Sequence, residues 1–328
     1  MDENFEVALA DLRYSGMEIP WRNRKIYNLR LAHAMQRLGY NKKAVDRVKF
    51  CASSLIFEKD VLSFQKKLLK KDLRFCKNIL CPICQGRRAE KNFYNLQKVL
   101  EILEEEDGNI NQEMIMMTLT IKNTDSSSFS ETIDTLIKGF GKLVKRKAFK
   151  DAVKGYYRTL EVTVNNQENY HPHLHVLCVV EDDYFQKNKK KYLSTEDVQK
   201  LWKEAIQVDY TPICNIEKVK DRNGVREVSK YILKAMNILE QQSPEALDTV
   251  VRTLLDGLYK RRLVAYGGVM KQASKKIKLD EELYVIKEEH CENEGMTTQE
   301  RYYWSPYHAK DYIRDENYRY NNRASKFS

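Results

Sequence analysis

The sequence predicts an α+β protein built on one antiparallel sheet with helices packed against it. Four apolar, β-prone runs predict strands, at 114–120, 156–164, 173–180 and 213–219. Apolar residues at three- and four-residue spacing predict a helix over 130–147, and Ser194 with Asp197 predicts the capped start of another at 195–206. The order β-α-β-β-α-β is that of a ferredoxin-like split βαβ unit, so we expect helices on one face and chemistry on the other.

Three regions are expected along the chain. Residues 1–95 form a helical, basic segment that carries most of the cysteines, 96–280 form the α+β domain, and 281–328 form a C-terminal tail of unknown role with few aliphatic residues. Further elements of the domain are expected near its ends: helices at 96–106, 225–239 and 244–259, a short strand at 263–266 and a basic helix through Lys278.

The charge balance favours a polyanionic partner. The 328 residues include 57 Lys and Arg against 47 Asp and Glu, a formal charge of +10. Each phosphate neutralised by Lys or Arg releases a condensed counterion; a solvated basic surface is the alternative. Two basic clusters are candidate DNA contacts, Arg22, Arg24 and Lys25 near the start and Arg87 and Arg88 after the cysteines. No run approaches the roughly 20 apolar residues of a membrane span and no secretory signal is evident, so a soluble, cytoplasmic protein is expected.

Three of the six histidines fall within five residues, at His171, His173 and His175. Alternate residues of a strand point to the same face, so the imidazoles of His173 and His175 project together. His171 is expected just outside the regular strand. Glu161, an isolated acid in the preceding apolar strand, is the candidate carboxylate ligand, but the sequence leaves open which histidine it faces. The alternative to a divalent cation site is a solvent-facing strand with chance histidines.

The predicted helix at 225–239 carries a second set of reactive side chains. Tyr231 flanks its apolar stripe, with Glu227 one turn before and Lys234 just under one turn after. A phenol beside a carboxylate and an ammonium suits contact with a phosphate, and tyrosine oxygen is a known covalent nucleophile. The chain has 20 tyrosines, so an ordinary amphipathic helix is the alternative.

The cysteines predict a structural zinc ion. Cys76, Cys81 and Cys84 follow the C-x4-C-P-x-C spacing typical of a zinc knuckle. Cys51 is the first choice for the fourth ligand and His33 the second. Buried free thiols or a redox pair are the alternative, and the odd total of seven argues against a complete disulfide framework.

The motifs occur in a specific order: C-x4-C-P-x-C, then Met117-Thr118-Leu119-Thr120, then Pro172-His173-Leu174-His175-Val176-Leu177, then Glu227-x3-Tyr231-x2-Lys234. This set resembles the HUH endonuclease superfamily. Histidines before the tyrosine, and the Glu-x-x-x-Tyr spacing, are similar to one branch of the replication initiators of rolling-circle plasmids from Gram-positive bacteria. The sequence departs from that pattern at His171, where the family often has Asn, and at Met116 and Met117, where an aromatic residue is common.

The resemblance implies an HUH nuclease core that nicks and rejoins DNA at a specific site and strand. Mg²⁺ or Mn²⁺ held by His173, His175 and Glu161 would polarise the scissile phosphate. Tyr231 would attack the phosphorus and stay linked to the 5′-phosphate, Lys234 would orient the phosphate, and Glu227 would later activate water.

The implied partner is the double-strand origin of a plasmid, with a hairpin or single-stranded nick site. No G-x-x-x-x-G-K-[ST] motif occurs, so a separate host helicase is expected, and the sequence leaves a homodimer open. A single-tyrosine transposase of the same superfamily and a zinc-dependent DNA-binding protein without catalysis are the alternatives. Conjugative relaxases fit less well because their tyrosine usually precedes the histidines.

Overall fold

The computed structural model describes residues 21–61, 66–68, 73–107, 113–165, 169–181, 184–185, 191–219, 225, 228, 238–239, 243–277, 297–307 and 310–318. The chain divides into two compact units, one made of Met1–Cys84 and Leu279–Ser328 and the other of Gln85–Lys278. The three consecutive regions expected from the sequence stay a prediction. None of the helices in the described ranges is long and apolar enough to cross a membrane.

In chain order the elements are α1 (Trp21–Arg37), α2 (Lys42–Lys49), β1 (Ser54–Asp60), β2 (Lys66–Leu68), α3 (Pro82–Asp107), β3 (Met114–Thr120), α4 (Phe129–Leu143), α5 (Lys147–Ala152), β4 (Val153–Val164), β5 (Tyr170–Val180), α6 (Thr195–Ile206), β6 (Cys214–Lys218), α7 (Pro244–Gly257), β7 (Val264–Gly267), α8 (Gly268–Lys276), β8 (Thr297–Ser305) and β9 (Asp311–Arg314).

The unit Gln85–Lys278 is built on a five-stranded sheet with the order β6-β3-β5-β4-β7. Every neighbouring pair of strands is antiparallel. The first four of these strands in the chain lie in the spatial order fourth, first, third, second, with α4 and α6 in the two crossovers, which is the arrangement of a ferredoxin-like split βαβ unit. The predicted fold class is confirmed.

One face of this sheet packs against α4 and α6. A row of buried leucines crosses it, formed in register by Leu119, Leu174 and Leu160. The ring of Phe129 at the start of α4 lies on the same side against Tyr170, with centroids 5.0 Å apart. The two helices meet at Gly139, where a Cβ would lie 2.5 Å from Cγ2 of Ile206. Only glycine permits this close approach, so it sets the spacing of the helix layer.

The opposite face is divided into an apolar end and a polar end. At the apolar end a buried cluster joins the strands to α3, α8 and the segment after β6: Leu96, Val99, Leu103, Tyr157, Leu177, Val179, Val225, Val228, Met270 and Ala273. The polar end carries Glu161, His173 and His175. The expectation that this whole face is left for chemistry is therefore wrong, because α3 and α8 present apolar stripes that the sheet buries.

The other unit contains a four-stranded sheet with the order β2-β1-β8-β9. All seven residues of β1 pair with β8. Trp21 of α1 packs against Phe57 of β1 with ring centroids 6.5 Å apart, and Phe57 packs against Tyr302 of β8 at 5.9 Å. The strands β8 and β9 thus complete the sheet of this unit, which is called the N-terminal unit below. The aromatic residues of these two strands supply the core contacts that their few aliphatic residues do not.

Most predicted elements are present with shifted ends. β3 and α6 have the predicted bounds, and α6 begins with a capping box between Ser194 and Asp197. β4 and β5 begin earlier than predicted, so His171 lies within β5. The helix predicted over 130–147 is α4, which ends at Leu143, and a separate short helix, α5, begins at Lys147. The strands β1 and β2 were not predicted.

Candidate metal centres

Glu161, His173 and His175 converge at the polar end of the sheet face. The register of β4 and β5 places Glu161 opposite His173, and Thr159 opposite His175. Nε2 of His175 lies 3.2 Å from Oε2 of Glu161, and Nε2 of His173 lies 3.7 Å from the same oxygen. The carboxylate therefore faces both imidazoles, which answers the question of register that the sequence left open.

Contacts on the far side of each ring direct Nε2 toward this point. Nδ1 of His173 lies 3.2 Å from the carbonyl oxygen of His171; a carbonyl only accepts, so Nδ1 donates there, and Nε2, which faces Glu161, is the nitrogen that can offer a lone pair to a bound cation. Nδ1 of His175 lies 3.3 Å from Oγ1 of Thr118, its partner on β3. Contacts of this kind orient ligating imidazoles in metal sites. The sequence motif that contains Thr118 does not indicate this contact, because the contact depends on the register of β3 and β5.

His171 is a neighbour of this group. Its ring centroid lies 5.1 Å from that of His173, and its Nδ1 donates to Oδ1 of Asn123 at 2.7 Å. Burial lowers the pKa of His171, and the charge of His173 acts in the same direction while Glu161 opposes both. At this end of the sheet, the ligand atoms that all lie within 4.8 Å of one another are those of Glu161, His173 and His175. His171 is not a member of this group.

The donor set fits a divalent cation. Ligand atoms bound at about 2.1 Å to one ion are about 3.0–3.4 Å apart, so the observed 3.2 and 3.7 Å require only a small closure. Burial alone raises the pKa of Glu161, but hydrogen bonds from His173 and His175 and their charges outweigh it and hold this pKa well below its ordinary range. A carboxylate that stays ionised is what a metal requires. The three side chains keep 11–22% exposure, which leaves a side for substrate.

Cys51, Cys76, Cys81 and Cys84 form a second centre in the N-terminal unit. Sγ of Cys84 lies 3.6 Å from Sγ of both Cys51 and Cys76, and Sγ of Cys81 lies 3.7 Å from that of Cys51. Sulfurs around a tetrahedral ion with Zn–S of about 2.3 Å are about 3.8 Å apart. The spacing fits zinc, with Cys51 as the fourth member and His33, the second choice, exposed.

The local fold directs N–H groups at these sulfurs. Three backbone donors do so: Cys76 to Cys51 at 3.4 Å, Lys77 to Cys84 at 3.3 Å and Asn78 to Cys76 at 3.4 Å. Asn28 of α1 donates from Nδ2 to Sγ of Cys81 at 3.3 Å. Burial raises the pKa of Cys81 well above its ordinary value, so a bound cation is needed to hold the thiolate form, which the N–H donors then favour.

Lys25 is a buried residue of this unit. Its Nζ donates to the carbonyl oxygens of Lys49 at 2.8 Å and Cys51 at 2.6 Å and to Oγ of Ser53 at 3.0 Å. Burial lowers the pKa of Lys25 to about 8, and the charge of Cys51 opposes that shift. The prediction that Lys25 contacts DNA is wrong, because an ammonium that is 0% exposed with its donors used inside the fold cannot reach a phosphate.

The other predicted DNA contacts differ in exposure. Arg24 is 4% exposed, and so buried a side chain cannot reach a phosphate, which removes it from that set. Arg22 keeps an exposed side chain and forms an ion pair with Asp311, 3.4 Å from Nε to Oδ2. Arg87 and Arg88 are half-buried on α3. DNA contact by Arg22, Arg87 and Arg88 stays a prediction.

The residues predicted to carry the nucleophilic chemistry, Glu227, Tyr231 and Lys234, lie outside the described residues. Val225 and Val228 of the same segment are described, and both are helical and buried in the apolar cluster. Oγ1 of Thr159 donates to the carbonyl oxygen of Val228 at 3.2 Å. Because Thr159 lies opposite His175, Val228 is held beside the row of the sheet that carries the metal site.

These features define a class: a ferredoxin-like α+β protein whose sheet carries a His-x-His and carboxylate group able to hold a cation, and which has a separate group of four cysteines. Comparison with known families narrows it further. A family model described as "Replication protein" matches residues 66–313, and the chain belongs to this family.

Relatives of known name agree with the family model. The chain is 33% identical over 285 residues to "Protein rep" of Streptococcus pneumoniae serotype 2 (strain D39), covering 84% of this chain and 85% of that protein. It is 34% identical over 344 residues to "Protein rep" of Bacillus amyloliquefaciens, with coverages of 95% and 98%, and 34% identical over 294 residues to "Protein rep" of Lactiplantibacillus plantarum, with coverages of 86% and 88%. No solved structure matches the chain. The resemblance to plasmid replication initiators is confirmed, and DNA is the partner that initiation implies.

Proposed function

We propose that this replication initiator nicks one strand at a plasmid origin and later rejoins it, through a covalent link between Tyr231 and the 5′-phosphate, as in rolling-circle replication. The observation that carries the proposal is the convergence of Glu161, His173 and His175, with each Nδ1 held on the far side of its ring. Mg²⁺ or Mn²⁺ bound there would supply a Lewis acid that polarises the scissile phosphate. The partial exposure of the three side chains allows a DNA strand to approach them.

The position of Val228 supports Tyr231 as the nucleophile. The carbonyl oxygen of Val228 accepts a hydrogen bond from Thr159 beside the candidate metal site. Tyr231 follows Val228 by three residues. Three residues of chain span at most about 11 Å. The proposed role of Tyr231 requires a chain position within such a reach of the candidate ion-binding group.

The proposed reaction is a transesterification that balances without an oxidant or a nucleotide cofactor. The phenolic oxygen of Tyr231 forms a bond to phosphorus while the bond from phosphorus to the 3′-oxygen breaks, and the phenolic proton ends on the released 3′-hydroxyl. Lys234 neutralises charge on the phosphate. Glu227 takes a proton from water in the final turnover, so that hydrolysis frees the enzyme.

The four-cysteine centre is proposed to hold a structural Zn²⁺, because it is closed and made only of sulfur. The N-terminal unit is proposed to contact duplex DNA of the origin through exposed cations such as Arg22. Unwinding is assigned to a separate helicase of the host, and action in the cytoplasm follows from that partnership.

The test is formation of a covalent adduct. The full-length protein is mixed with Mn²⁺ and overlapping single-stranded oligonucleotides that cover its replicon, and the products are separated under denaturing conditions. We expect an adduct with one oligonucleotide, lost in Tyr231→Phe, which keeps the ring and removes the attacking oxygen. Tyr259→Phe is the matched control, since Tyr259 is 68% exposed in the same unit. DNA binding without any adduct would instead support a non-catalytic zinc protein.

A second variant separates the two chemical roles. Glu227→Gln is expected to form the Tyr231 adduct at the normal rate but to fail in termination, so that products longer than one template unit accumulate. If Glu227→Gln loses the first cleavage as fully as Tyr231→Phe, the division of roles between the two residues is wrong.

A further inference from the structure

Two side chains from distant parts of the sequence hold the turn that contains Cys51. Nζ of Lys25 in α1 donates to the carbonyl oxygen of Cys51 at 2.6 Å. Oη of Tyr312 in β9 donates to the carbonyl oxygen of Ala52, also at 2.6 Å. Lys25 and Tyr312 are 0% and 1% exposed. Adjacent peptide groups are thus fixed from the N-terminal helix and from the last strand.

The backbone of this turn needs such support. Ala52 has φ of 51°, a left-handed conformation that residues with a side chain rarely adopt. Its N–H donates to the carbonyl oxygen of Arg74 at 2.8 Å, so the turn is also joined to the segment that leads to Cys76. Conformations of this kind persist only where surrounding contacts determine them.

The charge of Lys25 also calls for a partner. Across the described part of the chain, the acceptors of its Nζ are neutral oxygens, those of Lys49, Cys51 and Ser53, and no carboxylate pairs with it. A buried ammonium is costly unless a negative charge compensates it. Four thiolates and one divalent cation leave a net charge of −2 at the cysteine centre. The ammonium and the metal-loaded centre therefore compensate each other.

We propose that Lys25 and Tyr312 are positioning residues of the four-cysteine centre. Lys25 compensates the charge of the thiolates, and together with Tyr312 it fixes Cys51 as the fourth ligand. The inference rests on the proposed zinc centre and adds that the C-terminal strand is part of the metal site. Zinc binding and docking of β9 are then coupled, because each favours the same conformation of the Cys51–Ala52 turn.

The test compares zinc retention in full-length variants during timed exposure to a chelator. Lys25→Met keeps the length of the side chain and removes the charge; its control is Lys43→Met, at an exposed position on α2. We expect Lys25→Met to weaken zinc binding about 10–100-fold, the usual effect of losing an outer contact of a metal site. Tyr312→Phe removes a single hydroxyl, and we expect a weakening of about 2–10-fold; its control is Tyr303→Phe, a tyrosine 44% exposed on β8.

Replacement of zinc by Co²⁺ gives a readout that a general loss of stability would not move. The absorption band from thiolate to cobalt scales with the number of bound sulfurs, so its intensity should fall by about a quarter if Cys51 leaves the ion. Unchanged retention and an unchanged band in both variants would overturn the inference while leaving the zinc centre intact. Should Lys25→Met fail to fold, Tyr312→Phe decides by the same two measurements. Wild-type protein without zinc would remove the zinc centre itself and the inference with it.

Discussion

The two candidate metal centres are built in different ways. The cysteine centre draws its ligands from separate turns and a helix start, closes all four sulfurs away from solvent and surrounds them with N–H donors. The Glu161, His173 and His175 centre takes its ligands from two adjacent strands and keeps its side chains 11–22% exposed. Closed centres suit a structural role, whereas centres with open positions suit catalysis. The comparison predicts that a substitution in one centre abolishes the role of that centre and leaves the other centre intact.

The largest effect is expected from Cys84→Ser. Zinc content should fall from about one ion per chain to near zero, and the N-terminal unit should lose fixed structure, because zinc supplies about 10–16 kcal/mol of binding free energy in small zinc domains. Metal analysis and hydrogen exchange of residues 21–61 measure this. Cys214→Ser, at another buried thiol, should leave zinc in place. Zinc retained by Cys84→Ser at the wild-type level would contradict a four-sulfur centre.

A substitution in the Glu161, His173 and His175 centre should abolish nicking and leave the zinc content unchanged. His173→Ala should lower nicking by more than about 100-fold, since losing a ligand exceeds the 10–100-fold typical of an outer contact. Zinc content and duplex affinity should not change, because phosphate contacts set that affinity. A nicking assay in Mg²⁺ or Mn²⁺, run beside metal analysis, checks both, with exposed His33→Ala as the control. Full cleavage by His173→Ala would break the comparison.

A smaller effect is expected at the contact behind His175. Thr118→Val keeps the shape of the side chain but removes the oxygen that lies 3.3 Å from Nδ1. Affinity for Mn²⁺ should fall about 10-fold, measured by titrating the ion in the nicking assay. Thr132→Val is the control, because its hydroxyl hydrogen-bonds to the carbonyl oxygen of Ser128 and to Oγ1 of Thr124 and not to an imidazole. Equal Mn²⁺ affinity in the two variants would show that Thr118 does not orient the ring.

The smallest effect concerns acid pH in protein without added Mg²⁺ or Mn²⁺. The pKa of Glu161 in the folded chain lies well below its ordinary value of 4.5, so its stabilising effect is present above that value and is lost as pH falls toward the folded pKa. The difference in unfolding free energy between wild type and Glu161→Gln should therefore shrink from about pH 5 to about pH 3. Urea unfolding of both proteins measures it. A difference that stays constant would show that the imidazoles do not stabilise the carboxylate.

Local features of the sequence were enough for several conclusions. The alternation of His173 and His175 on one strand and the sulfur spacing of Cys76, Cys81 and Cys84 predicted two groups of converging side chains, because these patterns act over a few residues. Glu161 and Cys51, chosen to complete the two groups, lie with them in the structure; that either group binds a metal stays a prediction. The prediction of DNA contacts from the basic clusters was less reliable, because charge alone does not distinguish an exposed residue such as Arg22 from a buried one such as Lys25.

The sequence by itself determined the order of elements, the fold class and the family, because periodicity and motif spacing are properties of short segments. Only the tertiary structure decided which imidazoles Glu161 faces and that Thr118 contacts Nδ1 of His175. It alone also showed that Lys25 and Tyr312 both donate hydrogen bonds to the turn that contains Cys51. It also decided that the last strands complete the first sheet, a pairing between residues up to 249 positions apart, from Ser54 to Tyr303. Register and long-range pairing depend on the burial of whole faces at once, and no single segment encodes that burial.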